Sequence, residues 1–193
     1  MSEPAPKLVI LDRDGVINAD SDDYIRTVDE WIPLPGSIEA IARLSQAGYR
    51  IAVATNQSGL ARGYFDEYTL ANMHSKMCAL VEEAGGQIDV ICYCPHAPDE
   101  NCNCRKPLPG LLEQIAAELN QSVQNAWLVG DHEKDLQMAV GGGCKPLLVR
   151  TGKGVLMEQK ISAELRAQTS VVDDLAAAAT FILNSDTVAT GHS

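Results

Sequence analysis

Apolar residues in this chain fall into short β-rich runs, separated by stretches in which they recur every three or four positions. The first run, Lys7 to Leu11, ends abruptly in Asp12-Arg13-Asp14-Gly15, as a buried strand delivering carboxylates to its C-terminal end does. Pro35-Gly36-Ser37 then opens a helix with apolar positions Ile38, Ile41 and Leu44, stopped by Gly48. Tyr49 to Thr55 reads as a second strand. Leu70, Met73, Met77, Leu80 and Val81 mark one face of a helix, Gly85-Gly86 stop it, and Ile88 to Cys92 predict a third strand. Leu111, Leu112, Ile115 and Leu119 mark a further helix. Ala126 to Gly130 is a strand ending in Asp131, followed by a helix over Glu133 to Val140, a strand over Pro146 to Val149, and a last helix through Leu175, Ala179 and Ile182.

Such alternation predicts an α/β fold, a doubly wound and mostly parallel sheet covered on both faces, with ligands bound beyond the strand C-termini. A length of 193 residues with 46% hydrophobic content supports one domain over residues 1–193, with tails at about 1–6 and 187–193. The formal charge of −11 repels polyanions, and Lys and Arg form no run, so a nucleic-acid partner is not expected. No basic leader and no membrane-length apolar run is present, which predicts a soluble cytoplasmic chain, and the lack of a large inserted cap predicts a monomer.

The strand ends carry the candidate chemistry. Asp12 and Asp14, Thr55 and Asn56, and Asp131 and Asp135 would share one edge of a parallel sheet. Acids gathered so closely repel one another, and an all-oxygen set points to Mg²⁺. For a single pair, solvated loop acids would be the simpler reading; three agreeing strand ends favour a site.

Leu11-Asp12-Arg13-Asp14-Gly15, Thr55-Asn56, Lys106-Pro107 and Gly130-Asp131 through Asp135 resemble, in order, the four motifs of the haloacid-dehalogenase-like phosphatases over nearly the whole chain. The resemblance implies that Asp12 is a nucleophile forming an aspartyl-phosphate and Asp14 the acid and base. It implies that Thr55 and Lys106 hold the phosphoryl group. Mg²⁺ would be bound by the Asp12 carboxylate, the Asp14 carbonyl and Asp131, with Asp135 orienting the outer shell. Neutralising the phosphate is what lets a weak carboxylate nucleophile approach.

Four of the six cysteines crowd around one loop. Cys94-Pro95-His96 and Cys102-Asn103-Cys104 offer three thiolates and an imidazole, the donors of a closed structural Zn²⁺ site. A disulfide or idle thiols are the alternatives, which a reducing compartment disfavours. Cys92 is left out of the set, and Cys78 and Cys144 read as ordinary buried residues. The Cys-x-His and Cys-x-Cys loop running into Arg105-Lys106-Pro107 resembles that of the bacterial heptose bisphosphate phosphatases and the histidinol-phosphate phosphatases. Thr55-Asn56-Gln57-Ser58-Gly59-Leu60-Ala61-Arg62-Gly63 favours the former, with histidinol phosphate the alternative substrate.

That likeness implies a small phosphorylated sugar gripped by Asp20, Tyr24, Asn56, Gln57 and Ser58, with Arg105 on a second phosphate. It also implies a place in assembling lipopolysaccharide heptose. His132 stands where some relatives have lysine, and Val16 where threonine is common. His74 is expected at the surface. A non-catalytic zinc-dependent binding module would be a different class of function, and it would show no magnesium-dependent phosphate release.

Overall fold

The computed structural model describes residues 7–190. Strands β1 (Leu8–Leu11), β2 (Arg50–Asn56), β3 (Val90–Cys94), β4 (Trp127–Gly130), β5 (Lys145–Val149) and β6 (Ser170–Val172) form, among these residues, a six-stranded sheet in the order β3-β2-β1-β4-β5-β6. Every pairing is parallel, so each connection must cross back over a face of the sheet. The crossovers carry α1 (Ser37–Gln46), α2 (Glu67–Glu83), α3 (Gly110–Leu119), α4 (Glu133–Gly141), and the pair α5 (Gly154–Lys160) and α6 (Ala163–Gln168); α7 (Leu175–Thr190) follows β6.

Strand alternation splits the core in two. Val9 and Leu11 pack with Ile41, Leu44, Met73, Met77 and Ile182 on the face of α1, α2 and α7. Leu8 and Ile10 turn the other way, onto Leu112, Ile115 and Met138 of α3 and α4. All four β1 residues are fully buried, which is why the run reads as continuously apolar. Each such burial contributes about 1.5–3 kcal/mol, enough together to fix where the chain emerges at Asp12. From β1 the chain winds through β2 and β3 to one side, then returns to lay β4, β5 and β6 on the other. The switch lies between β1 and β4, where open parallel sheets form their clefts.

Several boundaries differ from expectation. β3 runs from Val90 to Cys94 rather than from Ile88 to Cys92, because Asp89 closes the strand entry itself. Its N–H donates to Ile51 O (2.8 Å) and its carboxylate accepts from Ile51 N–H (2.7 Å), so regular pairing begins one residue later and continues to Asn56 opposite Cys94. The stretch between Val149 and Leu175 holds α5, α6 and β6, which the periodicity did not announce. These elements have 7, 6 and 3 residues, too few for a period to establish itself. Met157, Ile161 and Leu165 of this stretch nonetheless pack on Leu136 and Leu148. The last helix continues to Thr190, through four residues read from sequence as tail, while residues 1–6 and 191–193 lie outside the described residues. No helix among the described residues is long and apolar enough to cross a membrane.

Candidate active site

The Asp12 N–H donates to Val129 O (2.9 Å), carrying the β1–β4 pairing one residue past the strand and setting Asp12 beside Asp131. Carboxylate oxygens of Asp12, Asp131 and Asp135 lie within 4.8 Å of one another. Asp131 can lie there because Gly15 and Gly152 lack side chains: a Cβ on either would come within 2.1 and 2.2 Å of its carboxylate, and both glycines have positive φ.

Lys106 is buried among these acids. Its Nζ reaches Asp12 Oδ1 (2.9 Å), Asp135 Oδ1 (2.7 Å) and Ala54 O (2.8 Å), an acceptor for each ammonium proton. Burial alone would lower its pKa, but Asp12 and Asp135 outweigh that and raise it, so the lysine stays charged. Burial, and next the charge of Asp135, push the Asp12 pKa well up and that of Asp131 to about 7. One ammonium facing three carboxylates leaves the cluster negative, and its all-oxygen donor set fits a hard divalent cation.

Asp14 sits differently. Burial opposes its charge, yet Arg13 and hydrogen bonds from Asn18 and Gln57 overrule burial and hold its pKa below the usual range. Arg13 Nη2 forks onto Asp14 Oδ1 (2.9 Å) and Oδ2 (3.1 Å), with Asn18 Nδ2 and Gln57 Nε2 each at 2.9 Å. Gln57 Nε2 also donates to Thr55 Oγ1 (2.8 Å), and Asn56 Oδ1 accepts from Lys106 N–H (3.0 Å), so the ends of β1 and β2 and the segment before α3 are tied at one point.

Asp12, Asp14, Asp20, Tyr24, Thr55, Asn56, Gln57, Arg105, Lys106, Asp131 and Asp135 all line one cleft of about 300 Å³. Ser58 is not among them; it is buried, and its carbonyl accepts from Arg62 N–H. His132, Lys134 and Lys153 also line the cleft, though sequence reasoning gave Lys134 and Lys153 no place. Lys153 is brought in by the turn after β5, where its N–H donates to Asp131 Oδ2 (2.9 Å). His132 caps α4: its ring accepts from Lys134 N–H while Asp135 accepts from its own N–H, a reciprocal pair at the helix start.

His74 corrects a sequence expectation. It is not a surface residue but lies buried under the site, with Nε2 3.4 Å from Arg13 Nη1. Burial, then Arg13, lower its pKa to about 4, so it is neutral at ordinary pH. Cys78 is half-buried rather than buried, whereas Cys144 and Cys92 are buried and outside the thiol cluster.

That cluster begins where β3 ends. Cys94 Sγ lies 3.6 Å from His96 Nδ1 and 3.6 Å from Cys102 Sγ, and His96 Nδ1 lies 3.3 Å from Cys104 Sγ. Tetrahedral bonds of about 2.3 Å would set sulfurs roughly 3.8 Å apart, so the spacing fits a four-coordinate metal ion.

A family profile described as Polynucleotide kinase 3 phosphatase matches residues 7–140, and one described as HAD-hydrolase-like matches residues 103–178. The D-glycero-beta-D-manno-heptose-1,7-bisphosphate 7-phosphatase of Pseudomonas aeruginosa is 56% identical over 176 residues, covering 91% of this chain and 97% of that protein. The chain belongs to this heptose bisphosphate phosphatase family. The family's protein from Neisseria meningitidis is 51% identical over 181 residues, covering 94% of this chain and 97% of its own length. The crystal structure of the D,D-heptose 1,7-bisphosphate phosphatase from B. bronchiseptica, complexed with magnesium and phosphate, has a TM-score of 0.89 at 49% identity and covers 93% of this chain and 99% of that one. The family and the fold expected from sequence thus agree with both comparisons.

Proposed function

We propose that this chain hydrolyses the 7-phosphate of D-glycero-β-D-manno-heptose 1,7-bisphosphate through a covalent phosphate on Asp12. The observation that carries the reading is the meeting of Asp12, Lys106 and Asp14 in one cleft, in a chain whose 49%-identical relative binds magnesium and phosphate.

Asp12 Oδ1 accepts from Lys106 Nζ and from Arg13 N–H (2.7 Å), which leaves Oδ2 to attack phosphorus. As that bond forms, the bond from phosphorus to the C7 oxygen breaks and Asp14 gives the leaving oxygen its proton. Asp14 then takes a proton from water, whose oxygen attacks phosphorus and frees Asp12. An ionised Asp14 clamped by Arg13 suits the second half, and the fork must loosen when Asp14 carries the proton of the first. Thr55 and Lys106 donate to the phosphoryl oxygens, where fixed donors in a dry site stabilise developing charge.

Asp12, the Asp14 carbonyl and Asp131 would hold Mg²⁺, which when bound neutralises the phosphoryl group. Asp135 holds Lys106 in place. Asp20, Tyr24, Asn56 and Gln57 line the path of the sugar, with Arg105 at hand for the second phosphate. Ser58, buried next to Gln57, supports that lining. Cys94, His96, Cys102 and Cys104 would bind a structural Zn²⁺ that fixes the loop carrying Arg105.

Phosphate release with Mg²⁺, measured side by side on heptose 1,7-bisphosphate and histidinol phosphate, tests the assignment, with Asp12→Asn as the blank. A large preference for the heptose and no turnover by the variant are expected. Preference for histidinol phosphate would overturn the substrate, and an active Asp12→Asn the mechanism.

A further inference from the structure

The segment 20–26, which lends Asp20, Ser21, Asp22, Tyr24 and Ile25 to the cleft lining, carries an arrangement that the phosphoryl chemistry does not use. Tyr24 has φ 66, in the left-handed region that a bulky L-residue occupies when its surroundings impose it. Its ring lies 5.0 Å from that of Tyr64, with the planes 56° apart. The Arg26 guanidinium sits 4.3 Å from the centre of the Tyr64 ring, and that of Arg62 5.9 Å from the centre of the Tyr24 ring. Arg62, Tyr24, Tyr64 and Arg26 therefore form one row, pinning the segment that follows β1 to the segment that follows β2.

The row is anchored at its far end. Arg26 Nε donates to Asp23 O (2.8 Å) and its N–H to Glu30 Oε2 (2.7 Å), so the guanidinium is held before it meets the ring. Ion pairs offer the same segment a weaker hold. Lys153 Nζ stands 3.6 Å from Asp20 and 3.8 Å from Asp22, and long pairs with exposed members contribute little in water. Tyr24 lines the cleft and Tyr64 does not. Tyr64 is 41% exposed, so its ring is no part of the core and can be removed without opening a cavity there.

We propose that Tyr64, seated on Arg26, is a positioning residue that sets the stance of Tyr24 at the cleft mouth and so the preference for a long, doubly phosphorylated sugar over a short phosphate ester. The inference rests on the substrate reading above. A reacting phosphate held at Asp12 and Lys106 lies deep in the cleft, and a ligand meets the mouth when it extends past that phosphate. Loss of the Tyr64 ring should then act on binding of the extended substrate and leave phosphoryl transfer alone.

The test compares kcat and KM for heptose 1,7-bisphosphate and for p-nitrophenyl phosphate in the wild type, Tyr64→Ala and Tyr64→Phe, all with Mg²⁺ and all checked for an unchanged melting profile. Loss of an aromatic and cation–π contact predicts, for Tyr64→Ala, a KM for the bisphosphate raised roughly three- to tenfold, with its kcat and both constants for the short ester unchanged. Tyr64→Phe keeps the ring and should match the wild type. Equal losses on both substrates, no change on either, or a Phe variant as impaired as the Ala variant would overturn the inference alone. A wild type indifferent between the two substrates would overturn the substrate reading, and the inference with it.

Discussion

Lys106 stands between two clusters of ligand-type side chains that are held together by opposite means. On one side Asp12, Asp131 and Asp135 are placed by strand ends and helix α4, whose buried partners fix the backbone whatever the carboxylates prefer. Burial and mutual repulsion raise the pKa values of Asp12 and Asp131 despite Lys106, so ionising this cluster is costly and a metal cation would offset that cost. On the other side Cys94 belongs to the core, Cys102 and Cys104 pack against it, and His96 sits on a connecting loop with few apolar residues, where shared coordination would add order that packing alone supplies only in part. A scaffold that is rigid without its metal can hold charges in a costly arrangement useful for chemistry. A segment ordered by its metal can serve stability and shape instead.

The largest break in this contrast should come from Lys106→Met. It removes the ammonium facing Asp12 and Asp135, so kcat should fall by about 10²–10³ through lost transition-state stabilisation. Stripping one partner from a buried ionic cluster should also cost about 3 kcal/mol, read as a lower urea midpoint without Mg²⁺. Activity within a few-fold of wild type would show that Lys106 does not bear on the phosphoryl group.

Next in size is the double variant Cys102→Ser, Cys104→Ser. Zinc content by elemental analysis should drop to background and the melting temperature should fall by roughly 5–10 °C, while kcat stays within about threefold and KM rises. Loss of kcat as large as in Lys106→Met would mean that the loop takes part in the chemistry, and the contrast between the clusters would collapse.

The smallest effect is confined to acid. His74 titrates near 6.5 in an unfolded chain and at about 4 in the fold, where burial and Arg13 keep it neutral. As pH falls from 6.5 to 4 the unfolded chain takes up a proton that the native state refuses, so stability is full above 6.5 and declines toward 4. The decline should reach about 2–3 kcal/mol at its lower end, and denaturant titrations across that range should show it flattened in His74→Leu. An equally steep limb in the variant would assign the acid sensitivity elsewhere.

Much of the sheet is legible in the chain because buried parallel strands must be apolar on both faces. Leu8 to Leu11 and Trp127 to Gly130 therefore announce both themselves and the acids that follow. Asp12, Thr55 and Asp131 are legible because short motifs fix them to strand ends, and Lys106 because it stands directly before Pro107, just past the cysteine loop. Arg13 is not, since it stands between two acids and its partners Met73 and His74 lie 60 and 61 residues away. His74 left a signal that went unused: it falls four residues after Leu70 and three before Met77, on the apolar face of α2. Lys153 left none, because an exposed turn lysine looks the same whether or not its N–H meets a carboxylate.

The path of the chain through the thiol loop has a consequence for engineering. It departs from the sheet at Cys94, whose carbonyl accepts from Gln57 N–H (2.8 Å), and returns at Lys106, whose N–H donates to Asn56 (3.0 Å). Departure and return are thus bolted to Gln57, directly after β2, and to Asn56, its last residue, and the span between His96 and Cys102 hangs outside those bolts. Residues 97–101 form a cassette whose length and content can be exchanged while the lysine beyond it keeps its place. None of these five residues lines the cleft, so a library varied there would change the loop at constant catalytic geometry.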